Sequence, residues 1–216
     1  MIHIVKRKCS PTPEPVSTVK TSPGTPIRIV LTGGECTGKS TLARDLAAHL
    51  SVPWSQEGAR VYLQRVNRPL TPADIEPIAR LQVEFEDQAI QASGQLVIHD
   101  TDLVSTVVYS HHYYQQCPDW IVEQASVRQA DLYLLCSTDL PWVDEALQRG
   151  PGTAEQRARI HQEFLFQLNR LHTPYRLVSG LREERSRCAL SIIAQHFDVG
   201  EESLEPFMEP EVLTSR

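Results

Sequence analysis

The sequence predicts an α/β fold, a parallel sheet with helices on both faces, and three observations predict it. Short β-rich runs alternate with segments of helical period. Those runs are apolar at nearly every position, as strands covered on both faces are. The first run also passes through a glycine-rich stretch straight into the first helical segment, the opening of a strand–loop–helix unit.

Taken in order, Ile27 to Leu31 is the first strand, and Leu42, Leu46 and Leu50, spaced by four, mark the helix that follows it. Val52 to Gln56 is a poor strand by propensity because of Pro53, and it is assigned as a short one because a βαβ unit needs a strand there. Thr71-Pro72-Ala73-Asp74 is a helix start, with a capping hydroxyl, proline at the first position and an acid three residues on; Pro77 is expected to delay or bend that helix. Leu96 to His99, Leu132 to Leu135 and Tyr175 to Val178 are the remaining strands. Ile160, Phe164, Leu168 and Leu171 define a helix before the last of them, and Cys188, Ile192 and Phe197 define one after it. His111-His112-Tyr113-Tyr114 does not read as a metal site, because neighbours on a helix point about 100° apart; helix surface is the expectation.

With 216 residues and 41% hydrophobic content, the chain can build one α/β domain with a proper core. Its net charge of −6 is uneven: residues 198–216 carry six acids and one arginine, and residues 1–26 carry four basic residues and one acid. The leader is rich in Pro, Ser and Thr and the tail is acidic and interrupted by prolines. The expectation is a disordered leader over 1–26, a folded domain over 27–197, and a disordered acidic tail over 198–216. A mildly acidic body lacks the footprint of a nucleic-acid binder. No run approaches the roughly 18 apolar residues of a membrane helix, and the basic patch Lys6 to Lys8 has no apolar stretch after it, so a cytoplasmic protein is expected. Five cysteines without a C-x-x-C pair read as reduced thiols.

Gly33-Gly34-Glu35-Cys36-Thr37-Gly38-Lys39-Ser40 fits G-x-x-x-x-G-K-[ST], with a strand before it and a helix after it. Glycines let backbone N–H groups turn toward phosphate oxygens, and the helix presents its positive end. Lys39 is suited to the β and γ phosphates of ATP, Ser40 to Mg²⁺, and Thr41 to the α phosphate. A second constellation ends the run "QLVIHDTD": Asp100, at the carboxyl end of a buried strand, is a candidate to hold Mg²⁺ or its water, and Asp102 a candidate for the acceptor hydroxyl. Both also read as strand-end or helix N-cap aspartates. Glu57 and Arg60 in "WSQEGAR" fall beside the same crevice, where a carboxylate can act as base or substrate clamp and a guanidinium can steady phosphate oxygens; an i, i+3 surface pair is the other reading. Trp54, just upstream, reads as core packing or as a stacking surface for a ligand.

At these residues the chain resembles the ribosylnicotinamide kinase domain of the NadR-like P-loop proteins. The resemblance is carried by "GGECTGKSTLA", by Trp54 with Glu57 to Arg60, by Asp100-Thr101-Asp102, and by "DLPWVDEALQR" from Asp139 to Arg149. It implies a three-layer P-loop NTPase fold with a five-stranded parallel sheet, and ATP-dependent phosphorylation of the 5′-hydroxyl of nicotinamide riboside to the mononucleotide. It also points to Trp142 and Asp144 as lid or substrate contacts. Arg149 and Arg157 flank a Gly-Pro-Gly turn, where lid arginines can neutralise charge on the transferring phosphoryl group. Gly58 stands where the family usually has tyrosine, so an aromatic wall of the nucleoside pocket is expected to be missing. Gln148 takes the position of the lid arginine, with Arg149 shifted by one, and Cys36 replaces a common serine. Neither the nucleotidyl-transferase motif nor the helix-turn-helix of larger family members is found, and adenylylation to NAD and repression are not expected.

The leading expectation is a Mg·ATP-dependent kinase for a small-molecule nucleoside, with Asp102 or Glu57 orienting or deprotonating its hydroxyl. A kinase for another small hydroxyl substrate and a nucleotide-dependent switch that binds a protein remain alternatives, and oligomeric state stays open. Under all three, Lys39→Ala is expected to lower ADP formation from Mg·ATP by at least about 100-fold, read in a coupled ADP assay.

Overall fold

Strand β1 (Ile27–Thr32) lies at the centre of a five-stranded sheet, flanked by β3 (Leu96–Asp100) and β4 (Leu132–Cys136), with β2 (Trp54–Ser55) and β5 (Tyr175–Val178) at the edges. The computed structural model describes residues 25–142 and 153–198. Every pairing is parallel, in the order β2-β3-β1-β4-β5.

The helices are α1 (Lys39–Leu50), α2 (Gly58–Val66), α3 (Ile75–Ala92), α4 (Leu103–Tyr114), α5 (Asp119–Val127), α6 (Ala154–Arg170) and α7 (Glu183–Phe197). Side chains alternate across the pleat, so each strand feeds two cores. Ile29, Leu31, Leu132 and Leu134 pack under α1 and α7. Val30, Tyr133 and Leu135 meet α3 to α6, where Phe164 and Leu168 of α6 are fully buried. Burying a side chain of this size contributes about 1.5–3 kcal/mol. Among the described residues no helix is long and apolar enough to cross a membrane.

The strands expected from the sequence appear, three of them one residue longer: Thr32, Asp100 and Cys136 extend them toward the carboxyl edge. β2 shrinks to Trp54–Ser55, because Pro53 has no N–H to donate to the ladder. Thr71 and Asp74 form the expected capping box around a 3₁₀ turn at Pro72–Asp74 that runs into α3. Pro77 leaves α3 unbroken, since it sits in the first turn, where backbone N–H groups have no helical partner to lose. His112 is a correction to the expected helix surface: its Nδ1 lies 2.6 Å from Glu163 Oε2, tying α4 to α6.

One ionic cluster is built into the core. Glu86 of α3, fully buried, meets Arg28 at 3.4 Å and Arg128 at 3.2 Å, and Arg128 also reaches Asp87 at 2.6 Å. Burial and the nearby Asp102 push the Glu86 carboxyl up to about 7, against the pull of both guanidiniums. Removing one partner of such a set would strand a buried charge.

Candidate active site

The register of the sheet assembles the site. Leu31 of β1 pairs with Asp100 of β3, so the loop leaving β1 and the last residue of β3 emerge side by side at the carboxyl edge. Gly33 (φ 128°) and Gly38 (φ 78°) lie in the left-handed region that L side chains rarely adopt, and together they bend the chain from β1 into α1. A Cβ on Gly33 would also stand 3.0 Å from the Cys136 carbonyl oxygen. Within the loop, the Thr37 hydroxyl and the Lys39 ammonium both donate to the Gly34 carbonyl oxygen, each at 2.8 Å. No side chain caps α1, which leaves its first-turn N–H groups directed into the loop's concavity, with Thr41 exposed beside them.

Ser40 lies beside Asp100, close enough for its hydroxyl to favour the charged carboxylate. Burial raises the Asp100 carboxyl to about 6; the charge of Glu57 adds to the rise, while Ser40, Lys39 and Arg60 oppose it. Its Oδ1 is buried without a hydrogen-bond partner. Five residues predicted separately from sequence are thus electrostatic neighbours: Lys39, Ser40, Glu57, Arg60 and Asp100. Glu57 opens α2 without capping it, and its Oε2 lies 3.7 Å from Arg60 Nε, so the i, i+3 pair is real and also faces the crevice.

The donor set fits a magnesium ion. Mg²⁺ is commonly held by one or two protein oxygens and completed by phosphates and water. Here a hydroxyl and an orphaned carboxylate oxygen stand together at a phosphate loop. Among the described residues no group of three or more His, Cys, Asp or Glu could hold a metal by itself.

Beside Glu57 opens a cleft between α3 and α4. Its lining includes Leu70, Ile75 and Ile78 on one side and Thr106, Tyr109 and Tyr114 on the other. Glu57 is the charged member of that lining, and no lysine or arginine belongs to it among the described residues.

Several expectations need correction. Asp102 does not reach this cleft: it is 3% exposed, its Oδ1 accepts from the Val104 and Ser105 N–H groups, and its Oδ2 accepts from the Tyr133 hydroxyl at 2.6 Å. It is the N-cap of α4, and both its oxygens are engaged inside the fold. Trp54 is 36% exposed at the sheet edge, is neither core nor part of the cleft lining, and pairs in register with Ile98. Gly58 is not a missing aromatic wall. A Cβ there would stand 2.9 Å from the backbone nitrogen of Gln82, so the position faces α3, and the cleft's aromatic surface comes from Tyr109 and Tyr114.

Arg157 of α6 donates to the carbonyl oxygens of Leu140, at 2.8 Å, and Cys36, at 3.5 Å, with its guanidinium 5.9 Å from the centroid of the Trp142 ring. It therefore crosses from α6 to the phosphate loop. Arg149 and Asp144, with Gln148, lie outside the described residues.

Two contributors went unseen in the sequence. Gln82 accepts from the Gly58 N–H at 2.8 Å and donates to the Thr101 carbonyl at 3.1 Å, so one buried amide joins the residue after Glu57 to the residue after Asp100. Nothing in an isolated Gln within a helical pattern signals this. Thr101 itself takes φ 68°, unusual for a β-branched residue, as the chain turns from β3 to the cap of α4. The second contributor is α4: Tyr109 and Tyr113 donate to Gly33 O and Glu35 Oε1 at 3.1 and 2.9 Å. Their spacing of four after the D-T-D run was the available clue.

A family model described as an AAA domain matches residues 28–185, from the first strand to the start of α7. The chain belongs to the AAA domain family. It is similar to the trifunctional NAD biosynthesis/regulator protein NadR of Salmonella typhimurium, 25% identical over 134 residues, covering 60% of this chain and 33% of the relative. The NadR of Escherichia coli is 27% identical over 133 residues, covering 60% and 32%. The chain spans about a third of the length of these curated relatives. Among solved structures, NadR in complex with NR superposes with a TM-score of 0.66 at 24% identity, covering 82% of this chain and 53% of that one. NadR with NAD and AMP-PNP gives 0.68 at 22%, covering 82% and 51%. Thymidylate kinase from Ehrlichia chaffeensis gives 0.57 at 15%, covering 79% and 98%. The AAA domain here thus has the P-loop kinase fold.

The raised carboxyl of Asp100 carries a consequence for stability. An Asp held above its unfolded value of about 3.9 penalises the folded state fully above pH 6 and not at all below about pH 4. Asp100→Asn is therefore expected to be more stable than the parent by about 1–3 kcal/mol at pH 7.5, in EDTA and without nucleotide, with the gap closing by pH 4. Urea unfolding at both pH values measures it; a destabilised variant at pH 7.5 contradicts it.

Proposed function

We propose that this AAA domain is a Mg·ATP-dependent kinase that transfers the γ-phosphoryl group to the 5′-hydroxyl of nicotinamide riboside, giving nicotinamide mononucleotide. The observation that carries this reading is the grouping of Lys39, Ser40 and Asp100 with Glu57, a residue that also lines the neighbouring cleft. The NadR relatives support it, since one of their structures holds NR and another AMP-PNP.

The cleft also supports a nucleoside over a nucleotide as acceptor. A monophosphate brings about two negative charges, and the described lining offers it a carboxylate and no basic side chain. A flat, positively charged pyridinium ring suits the tyrosine faces and the single anionic group. Gly58, packed on α3, is no sign of a lost acceptor pocket and so gives the switch alternative no support.

In the proposed reaction Glu57, freed from Arg60 or bridged by it, accepts the proton of the 5′-hydroxyl as the hydroxyl oxygen bonds to the γ-phosphorus. The bond from that phosphorus to the β–γ bridging oxygen breaks, and ADP leaves with the electron pair. Magnesium, held by Ser40 and Asp100, would supply charge neutralisation across the β and γ phosphates. Lys39 and Arg157 would stabilise the same oxygens, with loop N–H groups fixing the phosphates in line. Gln82 bridges the turns that follow Glu57 and Asp100 and so fixes their separation, and Asp102 anchors α4.

A panel of nucleosides with Mg·ATP, followed by ADP release, tests the assignment; turnover is expected with nicotinamide riboside and not with nucleoside monophosphates. Glu57→Gln is expected to lower kcat by about 100-fold or more with a smaller change in KM. Asp102→Asn is expected chiefly to destabilise the fold, with kcat of the folded fraction within about tenfold of the parent. A kcat that survives Glu57→Gln and collapses in Asp102→Asn would reverse the two roles.

A further inference from the structure

Helix α4 touches both halves of the site. Asp102 starts it immediately after Asp100, Thr106 and Tyr109 line the acceptor cleft, and Tyr109 and Tyr113 reach the phosphate loop. The two rings are stacked, 6.2 Å apart with 5° between their planes, and Tyr109 is further set edge-on against buried Phe164 at 5.6 Å. The Tyr109 ring is therefore fixed on two sides, while the residue lines the cleft and its hydroxyl, 3.1 Å from the Gly33 carbonyl oxygen, belongs to the loop. Gly33 is the first residue of that loop and takes φ 128°, so the carbonyl it presents sets how the following peptides turn toward a phosphate.

We propose that Tyr109 is a positioning residue that couples the two substrates: through its ring it senses the acceptor, and through its hydroxyl it sets the Gly33 peptide of the nucleotide loop. The inference rests on the kinase reading for the identity of the acceptor but on the Tyr109–Gly33 bond for the coupling. Linkage makes the effect reciprocal: an acceptor that orders Tyr109 tightens the triphosphate, and the triphosphate tightens the acceptor by the same factor. A residue that touches one ligand region and hydrogen-bonds the other is the shortest physical route for such coupling, with no chain of intermediates to invoke.

The test measures the affinity of Mg·AMP-PNP by calorimetry, with and without saturating nicotinamide riboside, in the parent and in Tyr109→Phe. The phenylalanine keeps the ring, the stacking and the cleft wall, and removes only the hydroxyl. The parent is expected to bind the triphosphate about fivefold or more tightly when the nucleoside is present. Tyr109→Phe is expected to reduce that factor to below about twofold, while melting cooperatively. In steady state the same variant shows a nucleoside-independent KM for ATP, where the parent's falls as nucleoside rises; a merely structural role would not produce that difference.

A second arm needs no acceptor. Thr106→Phe places a ring into the cleft one helical turn from Tyr109, and a double-mutant cycle with Tyr109→Phe is read on Mg·AMP-PNP affinity alone. Non-additivity of about threefold or more is expected. Should nicotinamide riboside fail to bind while the triphosphate binds, the acceptor assignment falls, and the cycle decides the coupling by itself. Equal coupling factors in parent and Tyr109→Phe, an uncoupled parent, or an additive cycle overturns the proposal.

Discussion

Everything at the carboxyl edge depends on one backbone fact, the parallel pairing of β1 with β3 in a register that sets Leu31 against Asp100. Because both strands run the same way, the loop that leaves β1 and the carboxylate that ends β3 must appear together. Separation in sequence, about seventy residues, is erased by a single ladder. The nearness of Ser40 to Asp100 follows from that register, as does the electrostatic contact of Asp100 with Lys39. A slip of one residue would turn Asp100 to the other face of the sheet and dissolve the site.

The same edge shows how environment divides labour between similar groups. Asp100 and Asp102 are two residues apart and almost equally buried. Burial pushes both carboxyls upward, yet Asp102 is met by a tyrosine hydroxyl and two backbone N–H groups. Asp100 instead keeps an orphaned oxygen and a second carboxylate, Glu57, as neighbour. The first arrangement is a saturated helix cap. The second is an electrostatic debt that a divalent cation is suited to cancel, because its charge lowers the energy of both carboxylates at once. The strained turn at Thr101 lies between them, and Gln82 holds it from below, so the contrast is maintained by packing and not by the strand alone.

How much of this was legible in the sequence follows from what kind of signal each part emits. The central strands announce themselves because they are buried on both faces and therefore apolar at successive positions, as in "IRIVL" and "LYLLC". The phosphate loop is legible because its glycines are demanded by backbone geometry within eight consecutive residues. Glu57 and Asp100 could be proposed because one closely follows a strand and the other ends one at the ligand-binding edge. What pattern could not supply was side-chain direction. Asp102 looked like a candidate for the acceptor hydroxyl as well as a helix cap, and is the cap; Gly58 looked like a gap in a pocket when it is a contact with α3, and Trp54 looked like core at a sheet edge too short to bury it. Gln82 and Tyr109 act through tertiary contacts with residues 24 and 76 positions away, and no local spacing encodes those.

The relatives fit this division. The NadR structures, at 22–24% identity, share the fold that this register and loop belong to. The most direct test of the central claim, that the phosphate loop and Asp100 hold one metal–nucleotide complex, is electron paramagnetic resonance of Mn²⁺ used in place of Mg²⁺ with AMP-PNP. The account predicts one bound Mn²⁺ per chain that requires the nucleotide, shows hyperfine coupling to its phosphorus nuclei, and loses at least tenfold in affinity in Asp100→Asn. Mn²⁺·AMP-PNP bound with the same affinity and the same spectrum in Asp100→Asn would contradict it.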